Sequence, residues 1–246
     1  MPIPRVHLPQ PLAVGDEVTL PEAAAHHLVR VLRLGPGAPL RLFNGAGGEY
    51  AAVLTAVDKR RARARLQAFD PREVELPFRV VLAQAVSRGD RMDLTLQKAV
   101  ELGVAAIVPL RSARSAPLPT GERLARRLAH WRGIVVSACE QCGRNRLPEV
   151  AAPIDLDAWL AQPPDGTRLV LDPEAGRPLR SVSLAAGALT LLVGPEGGLD
   201  GDELARAGRA GCVPVGLGPR ILRTETAALV ALAQLQLLRG EGGDAP

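Results

Sequence analysis

From Arg79 onward, short apolar segments alternate with longer amphipathic ones, and that alternation leaves few folds open to the chain. Arg79–Val86, Ala105–Leu110, Arg168–Asp172, Leu189–Val193 and Val213–Leu217 read as strands, apolar along almost their whole length. Between and after them come helical stretches: Asp90–Leu102, with Met92, Leu96, Ala99 and Val100 on one side, then Glu122–Cys142, Asp202–Ala210 and Thr224–Leu238. A strand that is apolar on both faces must be covered on both, which is the condition of a parallel sheet joined through helices. The spacing therefore predicts an α/β domain with a mostly parallel sheet. From Ala227 to Leu238 the last helix is apolar all round except for Gln234 and Gln236, so it needs cover on every side. The domain itself or a second subunit can supply that cover, and the pattern favours a homodimer.

Residues 1–72 follow a different grammar. Arg41–Phe43 and Glu49–Val57 flank Asn44-Gly45-Ala46-Gly47-Gly48, a loop of residues that tolerate positive φ and so reads as a hairpin turn. Arg61–Leu66 alternates basic and apolar residues, as a strand with one wet face does. Glu22–Leu34 has helical apolar spacing and stops at Gly35-Pro36-Gly37. These features predict a small β-rich, barrel-like domain over 1–72 and the α/β domain over 77–246, with the polar, proline-bracketed stretch Asp70–Pro77 between them.

Charge separates the same two parts. Residues 1–72 hold ten Lys and Arg against six Asp and Glu, whereas residues 73–246 hold twenty of each. A basic small domain on a neutral larger one suggests that the first grips a polyanion, the alternative being an ordinary solvated surface. His26, Arg30 and Arg33 fall on one helical face with His27 beside them; with no third ligand in reach, an RNA-facing patch is preferred to a metal site. Ser87-Arg88-Gly89-Asp90-Arg91 makes a polar corner before the second helix. Gly143 and Pro148 end the long helix and leave Arg144, Asn145 and Arg146 on an exposed turn, where compensation of the helix dipole is the plainer role. Cys139 and Cys142 supply half a zinc set and nothing nearby completes it, so they read as small packing residues and no metal is expected. No apolar run reaches the roughly 18 residues a membrane span needs, and the N-terminus carries no secretory pattern, so a cytoplasmic protein is expected.

Two loops carry the candidate chemistry. Gly194-Pro195-Glu196-Gly197-Gly198 follows a buried strand and leads into a helix, and Leu217-Gly218-Pro219-Arg220-Ile221-Leu222-Arg223 does the same one strand later. Glycines let main-chain amides approach a ligand closely, and ligands of parallel sheets bind beyond the carboxyl ends of the strands. Neither loop is a phosphate loop of the G-K-[ST] type, nor G-x-G-x-x-G, and Glu196 would repel a pyrophosphate. Each alone is as well explained by a turn; as a pair they favour a shared ligand site.

Taken in order, Arg30-Val31-Leu32-Arg33, Leu42-Phe43-Asn44-Gly45, Gln97–Val104, Glu140-Gln141-Cys142-Gly143-Arg144-Asn145, Gly194–Gly198 and Leu217–Ala227 resemble the ribosomal RNA small subunit methyltransferase E (RsmE) family of SPOUT-class RNA methyltransferases, over nearly the whole chain. The resemblance implies a PUA-like RNA-binding domain, then a SPOUT-type domain tied in a trefoil knot. It also implies a homodimer, S-adenosylmethionine bound in the knot, and methylation at N3 of a uridine in small-subunit ribosomal RNA, free or in the small ribosomal subunit. By position it assigns the cofactor to Gly194, Pro195, Glu196, Gly197, Gly198, Leu217, Gly218, Ile221, Leu222, Arg223 and Thr226. Removing a uridine imide proton spreads charge over two carbonyl oxygens, so the chemistry asks for a proton acceptor and cationic donors. Arg223, Glu140 and Arg146 are the catalytic candidates; Arg5, His26, His27, Arg30, Arg33, Arg88 and Arg144 are the RNA-binding ones. Two other readings stay open. A non-catalytic RNA-binding protein would not need the paired glycine loops, and a nucleotide-binding α/β enzyme would need phosphate-compatible residues in place of Glu196.

Overall fold

The computed structural model describes residues 3–58, 61–184 and 187–239. It divides into two compact units: residues 1–75 together with 136–147, and residues 76–135 together with 148–246. In the first unit, β1 (Arg5–His7), β2 (Glu17–Thr19), β3 (Pro39–Phe43), β4 (Glu49–Val57) and β5 (Ala62–Asp70) form one sheet in the order β1-β3-β4-β5-β2. β1 runs parallel to β3, and the remaining pairs are antiparallel. Ala62, Ala64 and Leu66 of β5 point inward while Arg63 and Arg65 face solvent, so the basic–apolar alternation is a half-wet strand. Register shifts at Ala51/Ala52 and Leu54/Ala56 bend the β4–β5 ribbon, and bulges of this kind curl a sheet around its core. That core is aliphatic, built from residues such as Val6, Leu8, Leu28, Leu40, Leu42, Leu54 and Leu66. At the β3–β4 turn, a Cβ on Gly48 would lie 2.4 Å from the Phe69 ring, and its φ is 66°, so only glycine closes the hairpin there.

The helix expected over Glu22–Leu34 is shorter and irregular. α1 (Glu22–His26) passes into a π-helical turn at His27–Val31, where Leu32 N–H reaches back to the His27 carbonyl, and Arg33 takes a φ of 55°. The wider turn corrects the single-face reading: His26, His27, Arg30 and Arg33 are all exposed, but they do not line one face of a regular helix.

The second unit is the expected α/β fold. Its strands are β6 (Val80–Ala85), β7 (Ala106–Arg111), β8 (Glu149–Val150), β9 (Ile154–Asp155), β10 (Thr167–Leu171), β11 (Leu189–Val193) and β12 (Val213–Val215). They order as β12-β10-β11-β6-β7-β8, with β9 also on β7, and every pairing is parallel. The helices are α2 (Asp90–Glu101), α3 (Gly121–Cys142), α4 (Leu156–Leu160), α5 (Gly201–Arg209) and α6 (Thr224–Arg239). Leu82, Ala83, Ile107, Leu169, Leu191 and Leu192 are fully enclosed, which is why these strands read as continuous apolar runs. β1, β2, β8, β9 and α4 escaped the sequence reading because two to five residues hold too little of any period.

The chain path expected of a SPOUT-type domain is found at the carboxyl ends of β10 and β12. The segment leaving β10 is laced to the segment leaving β12: Asp172 N–H donates to the Val215 carbonyl, Gly216 N–H to Arg177 and Leu179 N–H to Gly216, at 2.9–3.1 Å. A Cβ on Gly216 would come within 3.0 Å of the Ala175 carbonyl, so glycine eases the close crossing of the two chain segments here. This interlocking stands where the trefoil knot was expected. Beyond it, α6 buries Ala228, Ala231, Leu232 and Leu235 on one side and leaves Leu237 and Leu238 exposed. The chain covers one side of this helix, not all of it. No helix among the described residues is long and apolar enough to cross a membrane.

Candidate functional site

The two glycine loops follow β11 and β12, which are consecutive in sequence but are separated in the sheet by β10. They do not simply face each other across neighbouring strand ends; a three-residue cluster of hydrogen bonds brings them together. Thr224, the first residue of α6, donates its hydroxyl to the Gly194 carbonyl at 2.6 Å. Gln84, at the end of β6 and in register with Val193, donates its amide to the Thr224 hydroxyl at 3.0 Å and to the Ala85 carbonyl at 3.0 Å. The Thr224 hydroxyl is thus used between the loops and not within its own helix. Gln84 was missed, although a lone amide in an otherwise apolar strand is the kind of anomaly that marks a buried polar contact.

Each loop is further braced. The Glu196 carboxylate accepts from the Arg88 main-chain N–H at 2.9 Å and from the Arg91 guanidinium at 3.0 Å. Burial pushes its pKa up, but these hydrogen bonds and the Arg91 charge outweigh that and hold the carboxyl below the usual glutamate range. Arg114 donates to the Gly197 carbonyl at 2.7 Å. Asp200 caps α5 in a reciprocal box with Glu203, whose other oxygen accepts from Ala113 N–H, so the loop's exit is fixed as well as its entry. A Cβ on Gly194 would lie 2.9 Å from the Leu199 nitrogen, whereas one on Gly197 meets only the flexible Arg114 side chain. Pro195 is buried, and Gly198, at φ 69°, turns the chain towards Leu199.

In the second loop Gly218, Arg223 and Thr226 are exposed, Leu217 and Leu222 are half-buried, and Ile221 stands 86% exposed. Arg223 has no ion-pair partner among the described residues. Two acceptors beside the loop junction are buried without a hydrogen-bond partner, Gln84 Oε1 and Glu225 Oε2, and Glu225 as a whole is only 8% exposed. A buried carboxylate oxygen with no partner is costly, so this junction suits a ligand that brings hydrogen-bond donors or positive charge. Main-chain groups at glycines, an exposed aliphatic side chain and orphaned acceptors together fit an amphipathic, cationic ligand and not a polyphosphate.

The remaining candidates gather in the first unit. The Arg5 guanidinium pairs with Glu49, donates to the Arg144 carbonyl at 3.0 Å and to Asn145 Oδ1 at 2.7 Å, and lies 4.9 Å over the Phe43 ring. Burial, with the Arg72 charge nearby, lowers its pKa. Arg144 is 3% exposed and forks onto Glu75, while Asn145, fully buried, donates to the Arg72 carbonyl at 2.7 Å. The expected exposed turn is therefore corrected: Arg144 and Asn145 lock residues 136–147 onto this unit, and Arg5 and Arg144 are spent inside the protein and are not presented to RNA. Only Arg146 of that turn is exposed, 3.5 Å from Glu73. Glu140 accepts from His7 N–H at 2.9 Å, and burial pushes its carboxyl above the usual range against that hydrogen bond. Cys139 is enclosed, its thiol pushed by burial up to about 12, which is packing and not thiolate chemistry, and Cys142 is half-buried.

Residues 74–236 match the RNA methyltransferase domain family, and residues 20–67 match the RNA methyltransferase PUA domain family. A ribosomal RNA small subunit methyltransferase E from Buchnera aphidicola is 30% identical over 97% of this chain and 98% of its own length. Among solved structures, a ribosomal RNA small subunit methyltransferase E from Neisseria gonorrhoeae bound to S-adenosyl methionine superposes with a TM-score of 0.89 at 44% identity. A Legionella pneumophila protein in complex with the same cofactor gives 0.92 at 36%. Both cover 96% of this chain and 98% of the other.

If the Thr224 hydroxyl is the tie between the loops, Thr224→Val should cost about 1–3 kcal/mol, the scale for stranding buried hydrogen-bond partners. Urea unfolding measures this; a loss below about 0.5 kcal/mol would show that the loops hold together without it.

Proposed function

Because the chain belongs to the ribosomal RNA small subunit methyltransferase E family, we propose that it transfers a methyl group from S-adenosylmethionine to N3 of a uridine in small-subunit (16S) ribosomal RNA. The observation that carries this reading is the junction of the two glycine loops, tied by Thr224 and Gln84 and fringed by buried acceptors that lack partners. We assign the cofactor to Gly194–Gly198 and to Leu217, Gly218, Ile221, Leu222, Arg223 and Thr226. The contacts are mainly through the main chain, with Gln84 and Glu225 as acceptors for its donor groups. Glu196 acts from behind, as a brace held by Arg91. When bound, the cofactor supplies an electrophilic methyl carbon, so neither a metal nor a covalent nucleophile is required.

The protein's own task is to make the uridine nitrogen a nucleophile. Loss of the N3 proton places negative charge on O2 and O4, and a guanidinium aimed at those oxygens lowers the barrier. Arg223 is exposed beside the loop junction with no acid to neutralise it among the described residues. Arg146 is the second candidate for this role. Glu140, whose affinity for a proton is raised by burial, is the candidate acceptor. Residues 1–72 form the PUA-like RNA-binding domain and residues 77–246 the methyltransferase domain in this reading, at work on ribosomal RNA in the cytoplasm. The exposed Leu237 and Leu238 of α6 support a homodimer, for which sedimentation equilibrium should return twice the chain mass, and a monomer at micromolar concentration would refute it.

Arg223→Ala should lower the maximal methylation rate by about 100-fold or more, the scale for losing one preorganised donor. Affinity for S-adenosylmethionine, measured by calorimetry, should change far less. A rate within a few-fold of the parent at saturating substrates would remove Arg223 from catalysis, and weakened cofactor binding with an intact rate would move it to binding.

A further inference from the structure

The even charge count of residues 73–246 conceals a local excess. Two cavities adjoin at Leu118. One, of about 340 Å³, is lined by Ser87, Arg88, Gly89, Pro117 and Arg127 among others; the second, of about 540 Å³, by Thr120, Glu122, Arg123 and Arg126. Arg88, Arg123, Arg126 and Arg127 have no ion-pair partner among the described residues, and Arg127 lies 5.9 Å over the Trp131 ring, an arrangement that leaves its charge uncancelled. Among the acids nearby, Glu122 lines the larger cavity and Asp90 opens α2. Asp93 is taken by His130 at 2.7 Å, and Glu196 is taken by Arg91.

We propose that these cavities form a seat for RNA backbone phosphates on the methyltransferase unit itself, a reading that rests on RNA being the substrate. Four observations converge on it. Ser87 is 1% exposed, lines the smaller cavity, and its hydroxyl has no hydrogen-bond partner, which a native interior tolerates poorly unless a ligand completes it. α2, a helix of 12 residues, begins directly after Gly89, which lines the smaller cavity, and has no side-chain cap, while the Arg88 N–H before it is already taken by Glu196. Gly89 has a φ of 53° and no protein atom within 4 Å of where a Cβ would stand. Finally, Arg123, Arg126 and Arg127 recur at three- and four-residue steps on α3, which spreads their charges along about 6 Å of helix. An open row of unneutralised arginines tracks a polyanionic strand; a mononucleotide would require a closed pocket.

The contrast with the first unit strengthens this. There Glu49 draws Arg5, Arg41 and Arg72, Glu17 draws Arg63 and Arg65, and Glu75 and Glu73 take Arg144 and Arg146. Arg5, Arg41, Arg63, Arg65 and Arg72 are thus each held by an acid although the net charge of residues 1–72 stays positive, and part of the phosphate grip lies on α2 and α3.

The test compares the full-length protein with its R123Q/R126Q/R127Q variant and with Ser87→Ala, using a 16S ribosomal RNA fragment. Affinity of the triple variant should fall by roughly tenfold or more near 0.1 M salt, and the slope of log affinity against log salt should flatten by about 2–3, near one for each phosphate left without its arginine. S-adenosylmethionine affinity and melting temperature should not move. Ser87→Ala should weaken RNA binding without lowering the melting temperature, whereas a structural hydroxyl would lower it. Should the triple variant fold poorly, exposed Arg126→Gln alone should still flatten the slope by about one. Unchanged affinity and slope, in a protein whose parent binds and methylates the RNA, would overturn the seat and leave the functional reading intact. A parent that neither binds nor methylates ribosomal RNA would overturn both.

Discussion

One hydroxyl ties together the parts of the methyltransferase unit that matter. Thr224 begins the last helix, donates to the carbonyl that begins the first glycine loop, and receives the amide of Gln84 at the end of the central strand β6. Sheet, loop and helix are thereby fixed to one another at a single point, at the carboxyl ends of parallel strands where ligands of α/β proteins bind. The braces farther out, Arg91 on Glu196, Arg114 on Gly197 and the Asp200–Glu203 box, hold a loop whose position that tie has already set. Glycine matters unequally: a Cβ at Gly194 would clash with the main chain of its own loop and one at Gly216 would press on the Ala175 carbonyl, while Gly197 has only a movable arginine beside it.

Charge tells a different story in three dimensions than along the chain. A net excess marks where arginines are, but ion pairing decides which of them can meet a phosphate. Arg5 and Arg144 look like RNA contacts in one dimension and are interior ties in three, because Glu49 and Glu75 are folded onto them from distant positions. Breaking such a pair on one side would strand a buried charge, so these arginines hold residues 136–147 to the curled sheet. His26, His27, Arg30 and Arg33 remain exposed and keep their place as candidates for nucleic-acid contact.

Much of the architecture was legible before any coordinates. The long elements carry their own periodicity, and β4, β11 and α2 fall within a residue of their expected limits. What escaped did so for physical reasons. β8, β9 and α4 are too short to show a period. The π-turn at His27–Val31 preserves helical composition while changing the pitch, so only geometry reveals it. The loop residues were visible as glycine-rich punctuation, yet the partners that order them, Gln84, Arg91 and Arg114, lie far off in sequence, and their pairing is a product of the fold. The interlocked crossing at Gly216 was reached through resemblance alone, since no pattern of residue types encodes a threaded path.

The central claim is a methyl transfer to one nucleobase nitrogen. Incubating the protein with 16S ribosomal RNA, as free RNA and within small subunits, and methyl-labelled S-adenosylmethionine, then digesting the RNA and separating its nucleosides by mass spectrometry, tests it directly. The account predicts label in N3-methyluridine and in no other nucleoside, dependent on the protein. Label in a different nucleoside would contradict the assigned base, and no label on either form of the RNA would contradict the account as a whole.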